Sequence, residues 1–358
     1  MLAFHRILAG MAVPTVTVAA AAVMMVLVAG VPAGPAQAQA GAGESAVLLA
    51  YQRFGQGTNP DSRVRTKQFE GHIKELTNGR YAVTSVPAIL DALETGAKLP
   101  NRTIGITIDG AFSSVYEEAW PRLKAAGLPF TLFVTTDPID QGLPAYMTWD
   151  QIRELRDAGV SLGVHTAGYL RASRAGPDAF RADLDRALAS FEAALGERPR
   201  LFSYPNGEMS LAVGRMLAGA GIRAAFGYHS GPINPRSELM HMPRFPIVEN
   251  YADEKPFKLR VNTLALPVVD LVPADPLVNP ADVSTFGFTV DPAVGRIRGI
   301  NCFHSSFGQL EVNEIAERRF EAKLDRPTPK GTWRINCTMP TGGKRFRWFG
   351  MQYYSAEG

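Results

Sequence analysis

The chain is 358 residues long, 46% hydrophobic and 20% charged, with 37 Lys and Arg against 34 Asp and Glu for a formal charge of +3. That near balance excludes a nucleic-acid binder built on a basic patch, and the apolar content excludes a disordered chain. Two cysteines, Cys302 and Cys337, exclude a disulfide-rich scaffold and any cysteine-built zinc site, and the length fits two or three domains.

Residues 1–40 hold no acid and one strong base, Arg6. From Ile7 to Val31 the chain is almost wholly apolar, and Ala36-Gln37-Ala38-Gln39-Ala40 follows with small-x-small spacing. A basic start, an apolar middle and an Ala-x-Ala end describe a secretory signal peptide, cut after Ala38 or Ala40. The apolar run also has the length to span a bilayer, so an uncleaved anchor is the rival reading. Either way the expected location is outside the cytoplasm, periplasmic or secreted, with no membrane contact beyond the leader. Without Arg6 the remainder carries 36 bases against 34 acids and is near neutral. An oxidising compartment would let Cys302 and Cys337 pair, which closes a loop for roughly 3–4 kcal/mol; two buried free thiols are the alternative.

From Ala46 to about Gly227 short apolar strands alternate with amphipathic helical stretches. Strands are predicted at Ala46–Tyr51, Tyr81–Thr84, Thr103–Asp109, Phe130–Val134, Ser161–His165, Leu201–Tyr204 and Ala224–Gly227. Phe69/Ile73/Leu76, Val115/Ala119/Leu123 and Phe180/Leu184/Leu188/Phe191/Leu195 follow helical spacing, and Thr148-Trp149-Asp150-Gln151 reads as a capping box. Strand–helix alternation builds a parallel sheet, open or closed, and seven strands suit a barrel one unit short of eight. This gives an α/β domain over 41–258, of distorted (β/α)7-barrel type. A Pro-rich linker is expected over 259–285. Over 286–358 the period becomes two, as in Phe320/Ala322/Leu324 and Trp333/Ile335/Cys337/Met339, which predicts a small antiparallel sheet or sandwich. Cys302 and Cys337 face its interior, with His304 packed beside Cys302, and Trp333 and Trp348 read as core before sugar platforms.

Two strands carry one pattern. Ile104, Ile106 and Ile108 face one way, and Thr103, Gly105, Thr107 and Asp109 the other; Val160, Leu162 and Val164 oppose Ser161, Gly163 and His165. Each small face ends in an ionisable group at the C-terminal end of its strand, the rim where parallel barrels place their active sites. Asp109 and His165 are therefore expected at one mouth. His229, after the last strand, is a further candidate there; His241 and Asp137 are weaker ones, and His72 is expected in solvent.

Thr107-Ile108-Asp109-Gly110 with Ser114-Val115-Tyr116, His165-Thr166-Ala167-Gly168-Tyr169 and Phe202-Ser203-Tyr204-Pro205-Asn206-Gly207-Glu208 resemble, in order and spacing, the three motifs of the polysaccharide deacetylases, the family with the NodB homology domain (carbohydrate esterase family four). Ala46 to Phe54 resembles its opening strand, with Gln52 where His is usual, and the likeness runs to about Tyr251. The resemblance implies metal-assisted removal of an acetyl group from a glycan such as an N-acetylglucosamine oligomer. In that chemistry a zinc-like divalent ion polarises the carbonyl and activates water. Asp109 matches the general base, His165 the first metal-ligating His, Asn206 the source of the oxyanion N–H, and Thr166 and Tyr204 the substrate-facing positions.

The departures fall on the metal. Gly110 stands where a metal-binding Asp is usual and Tyr169 where the second His is usual, so Tyr169 and His229 are the substitute ligands on offer. Ser203 takes the place of the Arg that orients the base, and no Leu-x-Leu-His segment supplies a general acid. The sequence thus supports an exported deacetylase-like hydrolase with a weakened metal site. Its alternative is a non-catalytic, glycan-binding envelope protein on the same fold, with a structural module acting through the terminal sheet as a third reading.

Overall fold

The computed structural model describes residues 45–356; the expected leader lies outside the described residues. Seven strands run in parallel: β1 (Ala46–Tyr51), β2 (Thr103–Asp109), β3 (Phe130–Val134), β4 (Ser161–Val164), β5 (Leu201–Ser203), β6 (Ala224–Phe226) and β7 (Phe245–Pro246). Their order is β7-β1-β2-β3-β4-β5-β6, and a parallel bridge from Phe226 to Met242 brings the chain entering β7 against β6, so the sheet curves round toward closure. The strand expected at Tyr81–Thr84 is a two-residue piece, Ala82–Val83, that pairs with β2 outside this order. The seventh strand is instead β7, too short for any periodicity to announce.

Helices α1 (Thr66–Leu76), α2 (Val86–Thr95), α3 (Trp120–Ala125), α4 (Trp149–Asp157), α5 (Pro177–Leu195) and α6 (Leu211–Gly219) connect the strands. The Thr148 hydroxyl accepts from Gln151 N–H while the Gln151 side chain returns to Thr148 N–H, so the capping box opens α4 as its residues dictate. Ile104, Ile106 and Ile108 pack with Val115, Leu123 and the other helical residues, which fixes the opposite face of β2 toward the barrel interior. There Leu48, Phe133 and Phe226 meet Val86 and Ile89 of α2. A side chain at Gly163 would lie 2.6 Å from the Phe133 ring and 2.8 Å from the Leu201 carbonyl, so the small face exists because its neighbours fill that space.

The stretch expected as a linker is structured. It ends α7 (Glu254–Val261), adds Leu264–Ala265 beside the last strand, and supplies β8 (Val268–Val272). β8 is the edge of a four-stranded sheet with β9 (Thr285–Val290) and the strands Asn313–Ala316 and Arg319–Lys323. A five-stranded sheet includes β10 (Asn301–His304), β11 (Thr332–Pro340) and β12 (Phe346–Tyr354). Phe286, Phe288 and Phe320 of the first sheet share a core with Trp333, Ile335, Met351 and Tyr353 of the second, so the terminal domain is a sandwich. Cys302 sits directly opposite Cys337 across β10 and β11, and the two form a disulfide.

One histidine differs from expectation and a second is buried as expected. His72 is 2% exposed: Tyr51 and the Ala252 carbonyl meet its two nitrogens at 3.0 and 2.6 Å, and Phe257 stacks on its ring at 3.9 Å. His304 lies between Phe307 and Trp333, with centroids at 4.0 and 4.9 Å. No helix among the described residues is long and apolar enough to cross a membrane.

Candidate functional site

Asp109 closes β2, His165 follows β4, Ser203 closes β5, and Tyr228 follows β6. Their side chains converge at the C-terminal rim, as the strand pattern requires. Arg244, one residue before β7, reaches the same point from the far side. Its Nη1 donates to Asp109 Oδ1 at 2.8 Å and to Thr107 Oγ1 at 3.0 Å, and its Nη2 donates to Asp109 Oδ2 at 3.0 Å and to Ser203 Oγ at 2.7 Å. Phe133, Phe226 and Tyr228 surround the guanidinium at 5.0–5.8 Å. Ser203 Oγ donates to Asp109 Oδ2 at 3.0 Å, and the Tyr228 hydroxyl donates to the same oxygen.

Asp109, His165 and Arg244 are all fully buried. Burial alone would push Asp109 up, but the charge of Arg244 and the donors around the carboxylate outweigh it and hold Asp109 below the ordinary range. It is ionised and accepts four hydrogen bonds, three on Oδ2 and one on Oδ1. Burial lowers His165, against the pull of Asp109 and the Ser203 carbonyl. His165 is therefore neutral; its Nδ1–H donates to Ser203 O at 2.6 Å, and its Nε2 lone pair has no partner and lies 4.0 Å from Asp109 Oδ2.

The remaining expected residues fall differently. Tyr169 adopts φ +58° and its hydroxyl accepts the Asn206 N–H at 3.1 Å, so the expected oxyanion donor is already engaged. Burial raises the Tyr169 and Tyr228 hydroxyls above their ordinary range, and both stay protonated. These two half-buried rings stand over the buried polar cluster. Thr166 and Tyr204, expected to face substrate, do not: the buried Thr166 hydroxyl donates to the Leu170 carbonyl at 3.3 Å, and the fully buried Tyr204 hydroxyl donates to the Met240 carbonyl at 2.8 Å. His229 is also buried, its ring 4.0 Å from that of His241, and among the described residues it joins no group of three that could hold an ion. Asp137 is paired with Arg186.

Arg244 and Tyr228 are the site residues that sequence reasoning missed. Arg244 reaches Asp109 from far along the chain, while Ser203 stands where the resemblance places an Arg, and the signal of Arg244 is a lone base in the apolar run Met242-Pro243-Arg244-Phe245-Pro246.

A divalent metal does not fit this donor set. The unpartnered Nε2 of His165 is one suitable ligand. Gly110, however, has φ +100°, and a side chain there would start 2.5 Å from the Phe112 ring. Phe112 is itself held between Tyr146 and the Arg53 guanidinium. The Tyr169 hydroxyl is neutral and turned to Asn206. Among the described residues no group of three or more His, Cys, Asp or Glu is placed to hold an ion.

The buried histidines have a consequence for stability. Burial holds His72 and His241 down to about 4, for His72 against the raising effect of the Ala252 carbonyl. Their folded values lie below the unfolded value near 6.5, so on acidification the unfolded chain takes up protons first. Their stabilisation is complete above about pH 6.5 and is lost as pH falls toward 4, each adding a slope of up to about 1.4 kcal/mol per pH unit. Urea midpoints measured at pH 7.5, 5.5 and 4.5 are expected to fall in that order, and equal midpoints would contradict the burial of both rings.

Residues 96–225 match the family model described as polysaccharide deacetylase. YxkH of Bacillus subtilis (strain 168), named as a polysaccharide deacetylase, is 27% identical over 161 residues, which cover 45% of this chain and 56% of that protein. The match thus spans little more than half of the relative's length. Among solved structures, the deacetylase PplD of Streptococcus pyogenes aligns with a TM-score of 0.53 at 20% identity, covering 58% of this chain and 94% of that one. IcaB from Ammonifex degensii aligns with a TM-score of 0.54 at 22% identity, covering 59% and 95%. At these identities the two structures establish the shared fold.

Proposed function

Residues 96–225 belong to the polysaccharide deacetylase family, and on that premise we propose that the chain is an exported protein that holds acetylated glycan at the Asp109 mouth without the family's metal-dependent hydrolysis. One observation carries this reading: both missing ligand positions are filled. The Phe112 ring takes the space beside Gly110, and the Tyr169 hydroxyl takes the Asn206 N–H that would otherwise face an acetyl oxygen. The half-buried rings of Tyr169 and Tyr228 are the surface a sugar ring meets first, each with an apolar face and a hydroxyl.

Acetyl hydrolysis is the second reading, and the buried, unpartnered Nε2 of His165 beside Asp109 favours it. Titration calorimetry with N-acetylglucosamine oligomers, run beside an acetate-release assay over a series of divalent metals, separates the two. Binding without acetate is expected, and binding weakens in Tyr169→Ala. Acetate release that Asp109→Asn abolishes would establish hydrolysis instead, and absence of binding would remove the glycan reading.

A further inference from the structure

The turn Pro205-Asn206-Gly207 at the mouth is held from two sides. From the barrel, the fully buried carboxylate of Glu208 gathers its neighbours. Its Oε1 accepts from Arg171 Nε at 2.7 Å and from Asn206 Nδ2 at 2.9 Å, and its Oε2 accepts the Ser173 N–H at 2.9 Å. From the terminal sandwich, Gln352 of β12, only 1% exposed, donates from Nε2 to the Asn206 carbonyl at 2.7 Å. The Thr332 hydroxyl of β11 lies 3.4 Å from both Glu208 Oε1 and Asn206 Nδ2. Arg334, directly opposite Gln352 across β11 and β12, donates from Nε to Gln352 Oε1 at 2.8 Å. A carboxamide oxygen that accepts from a guanidinium leaves its NH2 end for the Asn206 carbonyl, so Arg334 sets which way the amide faces.

The hold matters because of the backbone it fixes. Asn206 has φ +56° and Tyr169 φ +58°, left-handed conformations that residues other than glycine keep only where their surroundings impose them. The two are joined by the bond from Asn206 N–H to the Tyr169 hydroxyl. Gly207, at φ +71°, is wedged beside them: a side chain there would start 2.6 Å from the Tyr228 N and 3.0 Å from Gln352 Nε2. One buried amide of the sandwich thus holds a turn that carries the Tyr169 contact and abuts Tyr228.

We propose that Gln352 is a positioning residue of the mouth. By holding the Asn206 carbonyl it keeps the Asn206 N–H on the Tyr169 hydroxyl and the Tyr169 and Tyr228 rings in their sugar-facing places. The terminal sandwich is then a working part of the glycan site. The proposal rests on the glycan reading above for what the rings receive, while the hold on the turn does not depend on it.

Three variants of the full chain test it. Gln352→Glu keeps an acceptor for Arg334 and removes the donor to Asn206, and Gln352→Met removes both. Asn336→Ala, on the same face of β11, loses the 3.1 Å contact with Trp348 Nε1 and leaves the turn untouched. Backbone hydrogen exchange in peptides spanning 204–208 reports the amides of Asn206, Gly207 and Glu208, which bond to the Tyr169 hydroxyl and to the Tyr204 and Pro205 carbonyls. Exchange there is expected to speed about ten-fold in both Gln352 variants and to keep its wild-type rate in Asn336→Ala. The Kd for an N-acetylglucosamine hexamer is expected to rise about five-fold in the Gln352 variants alone. Wild-type exchange in both Gln352 variants would overturn the proposal. So would equal speeding in Asn336→Ala, or speeding that extends along β11 and β12 in both Gln352 variants, since either marks a residue that only holds the two domains together. Faster exchange with unchanged affinity would overturn the link between the turn and the mouth. A wild type that binds no hexamer would remove the glycan reading, and exchange in 204–208 would still decide the hold on the turn.

Discussion

Arg244→Met is expected to cost about 3–5 kcal/mol, the range for removing one partner of a buried ion pair. Arg244 and Asp109 are both fully buried, and the guanidinium also serves Thr107, Ser203 and the Gly227 carbonyl. Without it Asp109 keeps Ser203 and Tyr228 as donors but loses its only compensating charge at hydrogen-bond distance. The pH dependence has a definite sign. In wild type the folded Asp109 lies below its unfolded value, so its contribution is present above about pH 4 and lost as pH falls below that. In the variant burial dominates and the folded value rises above the unfolded one, so the penalty is full at neutral pH and fades as the carboxyl protonates. Denaturant unfolding at pH 7 and pH 4.5 should thus show the gap between wild type and variant narrowing in acid. Adding Asp109→Asn should recover part of the loss, because the buried charge goes with its partner. A loss under about 1 kcal/mol at pH 7, or a gap that does not change with pH, would show that the pair does not hold the mouth together.

Restoring the two family ligands alone is expected to leave the protein without a zinc site. In Gly110→Asp/Tyr169→His the aspartate must adopt φ near +100° with its Cβ 2.5 Å from the Phe112 ring. Phe112 is 6% exposed and has no room to swing without leaving Arg53 and Tyr146. The strained backbone and the clash together cost about 1–3 kcal/mol. Adding Phe112→Ala opens that space, and His165 already presents its Nε2 in the neutral tautomer a metal needs. Equilibrium dialysis should find stoichiometric zinc in the triple variant and none in the double. Stoichiometric zinc in the double variant would show that Phe112 does not bar the site. A triple variant without zinc would show that the backbone at position 110, rather than the ring, is the obstacle.

Local pattern carried the sequence reading far where side-chain alternation decides the outcome. The alternation in Thr103–Asp109 placed Asp109 at the rim, and its counterpart in Ser161–His165 placed His165 beside it. Period two across Trp333, Ile335, Cys337 and Met339 marked an inward face, and all four are buried. Composition misled where it stood in for pairing. The four prolines within 259–285 suggested a linker, yet Val268–Val272 is an edge strand, the one place in a sheet where missing N–H donors nearby cost little. His72 looked solvated because its partners, Phe257 and Ala252, lie about 180 residues further along the chain.

Family resemblance marks Gly110 and Tyr169 as departures at metal-ligand positions, and the sequence by itself determined the α/β barrel, the all-β terminal domain and the meeting of Asp109 with His165. These follow from residue identity and from periods of two and 3.6, which are local properties. Only the tertiary structure decided how the site is held. Arg244 and Tyr228 lie 135 and 119 residues from Asp109, and no local period reports which distant side chain will share a buried carboxylate. Tertiary packing also turned the two substitutions into a filled site: a glycine makes room, but the Phe112 ring brought against it and the Tyr169 hydroxyl set on Asn206 N–H are what occupy that room. Burial then set the charge states, because taking a carboxylate, a guanidinium and an imidazole out of water together leaves the first two ionised and paired and the third neutral.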